Sequence, residues 1–238
     1  MAQITTIIFD MYETLAENNT QLWLDMFGRI CEEQELKVTP QALFDKWKPP
    51  EMVFRKVRLN LEAPEKSPPF KSYEEAWGDC FVQAFEELEL QGDAASAARE
   101  AIRDMGDRDP YPDAVEALPE IQRRWRTGVL SNADDDYLYP LLRRNGWQFE
   151  AVLSSEGARA YKPLPSTFRQ IIERMAVDPS EALYVGDNPY DDVLGAKSVG
   201  MNAAWINRPG TAHDTRFPKP DYEFSSLNEL ITTLEKEE

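Results

Sequence analysis

After Pro110-Tyr111-Pro112 the chain alternates between short apolar runs and longer stretches whose apolar residues recur every three or four positions. Runs of the first kind read as buried strands, stretches of the second kind as helices. The pattern predicts a helix at 113–124, a strand at 127–131, a helix at 135–144 ending on Asn145-Gly146, and a strand at 150–154. A helix at 166–175, a strand at 182–186, a helix at 190–199 stopped by Gly200, a strand at 203–206 and a helix at 226–236 follow. Strands joined through helices pair in parallel, and a parallel sheet is covered by helices on both faces. One more apolar run, Ile-Thr-Thr-Ile-Ile-Phe at 4–9, reads as a strand of the same sheet.

Between that strand and Pro110 the spacing is helical and no convincing strand appears. Leu22, Trp23, Met26, Phe27 and Ile30 share one helix face. Thr39-Pro40 opens a second helix as an N-cap followed by proline in the first turn, and Lys48-Pro49-Pro50 is expected to stop it. The proline-rich stretch 63–69 reads as a loop. Ser72 and Glu75 form a capping box ahead of Ala76, Trp77, Cys80, Phe81, Ala84, Phe85 and Leu88, and 93–105 is a weaker, alanine-rich helix. At this spacing Trp23, Phe27, Trp47, Phe54 and Trp77 read as core before they read as a pocket wall. Arg29, Arg55 and Arg58 read as solvated faces before anion contacts.

The 238 residues suffice for one domain with an insert, and the net charge of −17 argues against nucleic acid, whose phosphates need Lys and Arg. The acidic surface gives no help toward anionic membranes, and no apolar run approaches the roughly 20 residues that span a bilayer. With no charged leader and apolar signal core at its start, the expectation is a cytoplasmic protein, monomer or homodimer. Cys31 and Cys80 lie within apolar helical patterns and read as reduced core thiols. A Ser-His-Asp triad would have to use the single histidine, His213, which sits in a Gly/Pro-rich stretch and reads as a solvated loop residue.

Four segments carry chemistry: Ile7-Ile8-Phe9-Asp10-Met11-Tyr12-Glu13-Thr14, Val129-Leu130-Ser131-Asn132, Tyr161-Lys162-Pro163, and Tyr184-Val185-Gly186-Asp187-Asn188-Pro189-Tyr190-Asp191-Asp192. Each apolar run delivers a polar residue where a buried strand should end, the edge at which open α/β sheets bind ligands. Asp10 can serve as a carboxylate nucleophile. Ser131 and Asn132 can donate to anionic oxygens, and Lys162 can offset negative charge on the nucleophile. Asp187, Asp191 and Asp192 with Asp10 concentrate carboxylates that call for a cation, and an all-oxygen set suits Mg²⁺.

This order of parts resembles the haloacid dehalogenase (HAD) superfamily of hydrolases. The resemblance implies a Rossmann-like core of residues 1–15 and 111–238 with an all-helical cap domain at 16–110. It implies that Thr14 orients Asp10 or the transferred group. It implies metal ligation by Asp10, the Tyr12 carbonyl and Asp187, with Asp191 or Asp192 in support. Tyr12 is a departure: phosphatases of the family carry there an aspartate that protonates the leaving oxygen. L-2-haloacid dehalogenases of the family carry tyrosine at this place, need no metal, and lack a Gly-Asp with flanking acids in the fourth segment. Glu13 also replaces the usual small residue. The acid cluster favours Mg²⁺-dependent hydrolysis of a small anionic phosphate ester, with an L-2-haloacid dehalogenase as the alternative and a non-catalytic binding protein as the second.

Overall fold

The structure, a computed structural model, describes residues 3–236. Met1, Ala2, Glu237 and Glu238, at the outer limits of the expected core segments, lie outside the described residues. The strands are β1 (Thr6–Phe9), β2 (Arg126–Ser131), β3 (Ala151–Ser154), β4 (Ala182–Gly186), β5 (Asn202–Ile206) and β6 (Tyr222–Phe224). They form one sheet in the order β3-β2-β1-β4-β5-β6, parallel at every pairing. The helices are α1 (Thr20–Glu33), α2 (Pro40–Val57), α3 (Tyr73–Glu87), α4 (Ala94–Met105), α5 (Pro112–Arg124), α6 (Asp135–Arg144), α7 (Ser155–Ala158), α8 (Pro165–Met175), α9 (Gly195–Ser198) and α10 (Leu227–Leu234). Among the described residues no helix is long and apolar enough to cross a membrane.

All four residues of β1 are buried, which is why this central strand reads as a continuous apolar run and not as an alternation. Around the sheet, Ile8, Leu130, Leu153, Tyr184 and Trp205 pack with Phe168, Ile171 and Met175 of α8. The edge strand β6 escaped prediction: its three residues, after a polar stretch, are too short to show a period. The stretch expected as one helix at 190–199 is divided. Pro189–Leu194 is a wide, π-type segment in which the Asn188 carbonyl accepts from the N–H groups of both Asp192, at 2.9 Å, and Val193, at 3.4 Å. Such widened turns recur at functional sites.

By its internal contacts the chain divides into two compact units. The sheet unit takes the residues up to Glu17, Asp109–Asn132 and those from Asn145 onward; the helical unit takes Asn18–Arg108 and Ala133–Arg144. The expected division placed α6 with the sheet; here it groups with α1–α4. Tyr137 of α6 stacks on Trp77 at 5.9 Å, and Asp134 accepts from the N–H groups of Tyr73 and Glu74 at the start of α3.

Within the helical unit Trp23, Phe27, Trp47 and Trp77 are buried core. Helix α2 does not stop at Lys48-Pro49-Pro50 but continues to Val57. The two prolines remove bonds only to the carbonyls of Asp45 and Lys46, which stand at exposed positions that water can serve, while Leu43, Trp47 and Glu51 bury the opposite face. Arg58 is no solvated residue either: it is 5% exposed and donates to the Tyr73 hydroxyl. Cys31 and Cys80 are free, buried thiols, and burial pushes the Cys80 thiol up to about 12.

At the head of α9, a Cβ on Gly195 would overlap the ring of Phe168, which is fully buried. Gly195→Ala should therefore destabilise the chain by about 1–3 kcal/mol, the usual cost of overpacking. Urea unfolding should show a lower midpoint with unchanged slope; a wild-type midpoint would contradict this packing.

Candidate active site

Because β2, β1 and β4 are adjacent and parallel, their carboxyl ends bring Ser131, Asp10 and Asp187 to one edge of the sheet. Asp10 follows the last residue of β1, and its N–H donates to the Val185 carbonyl at 2.9 Å. Its Oδ1 accepts from the Ser131 hydroxyl at 2.7 Å and from Lys162 Nζ at 2.9 Å. Lys162 is 1% exposed. Its ammonium also donates to Asp192 Oδ1 at 2.6 Å and to the Tyr184 hydroxyl at 2.9 Å, and that hydroxyl donates to the Leu130 carbonyl at 2.6 Å. Three donors thus meet three acceptors.

The Asn132 side chain bonds the backbone of Lys162. Its Oδ1 accepts from the Lys162 N–H at 2.8 Å and its Nδ2 donates to the Lys162 carbonyl at 3.3 Å. The side chain thereby holds the lysine's backbone. The Ser131 hydroxyl is likewise spent on Asp10. Thr14 is fully buried, and its Oγ1 has no hydrogen-bond partner among the described residues.

One carboxylate oxygen from each of Asp10, Asp187 and Asp192 lies within 4.8 Å of the others. Asp191, which the spacing alone left as an equal to Asp192, falls outside this group. The widened turn explains the difference. Asn188 accepts from the N–H groups of Tyr190, at 2.9 Å, and Asp191, at 3.2 Å, while Asp192 folds back so that its Oδ2 accepts from the Asn188 N–H at 2.9 Å. Gly186 is required there, since a Cβ would overlap the Asp192 carboxylate. Tyr12 is buried, at 8% exposure, in the turn after β1.

Burial pushes the Asp187 carboxyl well above its usual range, and the charges of Asp192 and Asp10 push it further. Burial raises Asp192 to about 7 against the opposing pull of Lys162. For Lys162, burial disfavours the charged form, but Asp10 and Asp192 outweigh it and hold the ammonium protonated well above its usual range. With all three carboxyls ionised, one ammonium would leave two negative charges uncompensated, and the donors are all oxygen. That set fits a hard divalent cation such as Mg²⁺. Tyr184 carries no signal of its role in sequence beyond being a polar-tipped residue inside an apolar strand.

The sequence pattern of haloacid dehalogenase-like hydrolases matches residues 4–200. The chain belongs to the haloacid dehalogenase-like hydrolases. Within that family, haloacetate dehalogenase H-2 of Moraxella sp. (strain B) is 27% identical over 237 residues, covering 97% of this chain and 98% of that protein. Phosphoserine phosphatase of Thermus thermophilus is 33% identical over 165 residues, 66% of each chain. The solved structure of L-2-haloacid dehalogenase from Xanthobacter autotrophicus superposes with a TM-score of 0.77 over 98% of this chain and 99% of that one. At 23% identity that likeness shows the haloacid dehalogenase fold alone.

A carboxyl whose pKa is raised by folding binds its proton more tightly when folded, so ionising it opposes folding. For Asp192, stability present below the ordinary carboxylate range, about pH 4, is lost as pH rises toward 7. In the metal-free protein, urea unfolding should show Asp192→Asn gaining on wild type across that window. A gap that stays constant with pH would contradict the raised pKa.

Proposed function

We propose that the chain is a divalent-cation-dependent hydrolase of a small phosphate ester, working through a covalent intermediate on Asp10. The observation that carries this reading is the meeting of Asp10, Asp187 and Asp192 within 4.8 Å, with a single ammonium against them. The Asp10 carboxylate attacks phosphorus, the bond from phosphorus to the ester oxygen breaks, and water then cleaves the acyl phosphate. Lys162 holds Asp10 in place and offsets charge on the reacting oxygens. The buried Thr14 hydroxyl supplies a hydrogen bond to the transferred group. A cation would be held by Asp10, Asp187 and Asp192, with the Tyr12 carbonyl as a further ligand, and would neutralise the dianionic phosphoryl group. Ser131 and Asn132 act as positioning residues, one on Asp10 and the other on Lys162.

A second reading, hydrolysis of a 2-haloacid, draws on two different observations. Tyr12 stands where a phosphatase of this family needs a proton donor, whereas a departing halide needs no proton. A haloacetate dehalogenase relative covers 97% of this chain, while a phosphoserine phosphatase relative covers 66% of it. The comparisons therefore lean toward dehalogenation and the acid cluster toward phosphoryl transfer. In the dehalogenase reading Asp10 attacks carbon, the carbon–halogen bond breaks and an ester forms on Asp10.

Aryl phosphate, alkyl phosphates and 2-chloropropionate, each assayed with Mg²⁺ and with chelator, separate the two. The expected result is chelator-sensitive release of phosphate, abolished in Asp10→Asn and reduced about 10²–10³-fold in Lys162→Ala. Asp187→Ala should lose the response to Mg²⁺. Tyr12→Asp should raise kcat for alkyl phosphates, up to the 10²–10⁴-fold typical of general acid catalysis, and change aryl phosphate much less. Chelator-insensitive release of chloride, with no phosphate released from any ester, would establish the second reading.

A further inference from the structure

The turn that follows Asp10 contains a strained link. Glu13 sits at φ 61, in the left-handed region that a residue with a Cβ disfavours. Residues held this way persist only where their surroundings over-determine them, and they cluster at active sites. Inside the turn, the Glu13 N–H donates to the Ala16 carbonyl at 2.7 Å, and the N–H groups of Leu15 and Ala16 donate to the Met11 carbonyl at 2.8 and 2.9 Å. Two further bonds reach it from distant parts of the chain. The Glu13 carboxylate accepts from the Tyr111 hydroxyl at 3.1 Å, and the Thr14 carbonyl accepts from Arg208 Nη2 at 2.8 Å.

Arg208 governs both. Its guanidinium lies over the Tyr111 ring, 3.9 Å from the centroid, and so backs the residue that holds Glu13. Its other arm, Nη1, donates to Asp113 Oδ2 at 2.9 Å, and that oxygen also accepts from the Leu227 N–H at 2.8 Å. The fork is thus seated on a fixed carboxylate and over a ring while one arm holds the turn; a lysine has no such fork. The loop that carries Arg208 is equally firm. Asn207 is 4% exposed; its Oδ1 accepts from the Thr211 N–H at 2.9 Å and its Nδ2 donates to the Thr211 carbonyl at 2.8 Å. A side chain 194 residues from Thr14 in sequence therefore fixes where Thr14 stands.

We infer that Arg208 is a positioning residue of the reaction, holding the Thr14 hydroxyl in place for the transferred group. That hydroxyl is buried and has no hydrogen-bond partner among the described residues, so no bond of its own orients it, and its placement depends on the backbone that Arg208 holds. The inference deepens the role proposed for Thr14 and rests on it.

Hydrogen exchange reads the positioning without any substrate. In Arg208→Lys, which keeps the charge but not the fork, the amides of Glu13, Leu15 and Ala16 should exchange about tenfold faster than in wild type, while those of β1 keep their rates and so exclude a folding defect. Unchanged exchange at these amides in both Arg208→Lys and Arg208→Met would overturn the inference. A double-mutant cycle reads the consequence for catalysis. Arg208→Lys should lower kcat by about 10- to 10²-fold, the order of loss that a 1 Å misplacement brings. In a Thr14→Val background, where no hydroxyl remains to be placed, the same change should cost no more than about twofold; in Thr14→Ser the full loss should return. Losses that simply multiply in the Thr14→Val background would make Arg208 a support of the fold alone and overturn its catalytic role. The cycle is run on phosphate release from aryl phosphate with Mg²⁺ and on chloride release from 2-chloropropionate. Chloride without phosphate removes the phosphohydrolase reading and leaves the cycle to judge Arg208 on chloride; with neither product, exchange alone judges it.

Discussion

The buried ammonium of Lys162 is the interaction on which the site depends. An isolated charge at 1% exposure would be prohibitively costly, and an unpaired carboxylate beside it would be little better. Each is tolerable only because the others are present. The lysine reaches Asp10 from β1, Asp192 from the widened turn after β4, and the Tyr184 hydroxyl that ties β4 to the Leu130 carbonyl of β2. Lys162 and Tyr184 together link the carboxyl ends of three neighbouring strands. Removing it would leave carboxylates facing each other, so the site has little freedom to drift and keep the lysine.

Much of this could be read from the residues, and the reasons are physical. Strands buried on both faces announce themselves as apolar runs, so the first five were placed to within about two residues. The polar residue that ends a run marks the ligand edge, which is why Asp10, Ser131 and Asp187 were legible. The capping box at Ser72 and Glu75 is likewise local and appears as expected, with bonds of 3.1 and 2.9 Å. What escaped is what tertiary packing decides. Pro49-Pro50 is a stop by local rules, but the buried stripe of Leu43, Trp47 and Glu51 carries α2 through it. Asp191 and Asp192 are equivalent in spacing, and only the turn's extra residue per loop turns one of them inward. The bonds from the Asn132 side chain to the backbone of Lys162, 30 residues away, were likewise not legible in the spacing.

Two lines of inference about chemistry pull in different directions, and both come from the same few residues. Tyr12 removes a proton donor, which suits a halide; Asp187 and Asp192 accumulate charge, which suits a cation and a phosphoryl group. Family membership is compatible with either, since in both proposed readings Asp10 attacks and Lys162 offsets its charge. Substrate choice therefore lies outside the shared machinery.

The place of β1 in the sheet has a consequence for how the protein comes to exist. Its two neighbours, β2 at Arg126–Ser131 and β4 at Ala182–Gly186, are both distant in the chain, so both edges of Ile7-Ile8-Phe9 stay unpaired while the intervening residues are made. At the ribosome's pace of about 5–20 residues per second, that wait is on the order of ten seconds. For that interval a short apolar segment with bare edges is open to pairing with other chains. Whatever shields it during synthesis, the helical unit or a chaperone, sets how much chain survives to bring Asp10 to the lysine.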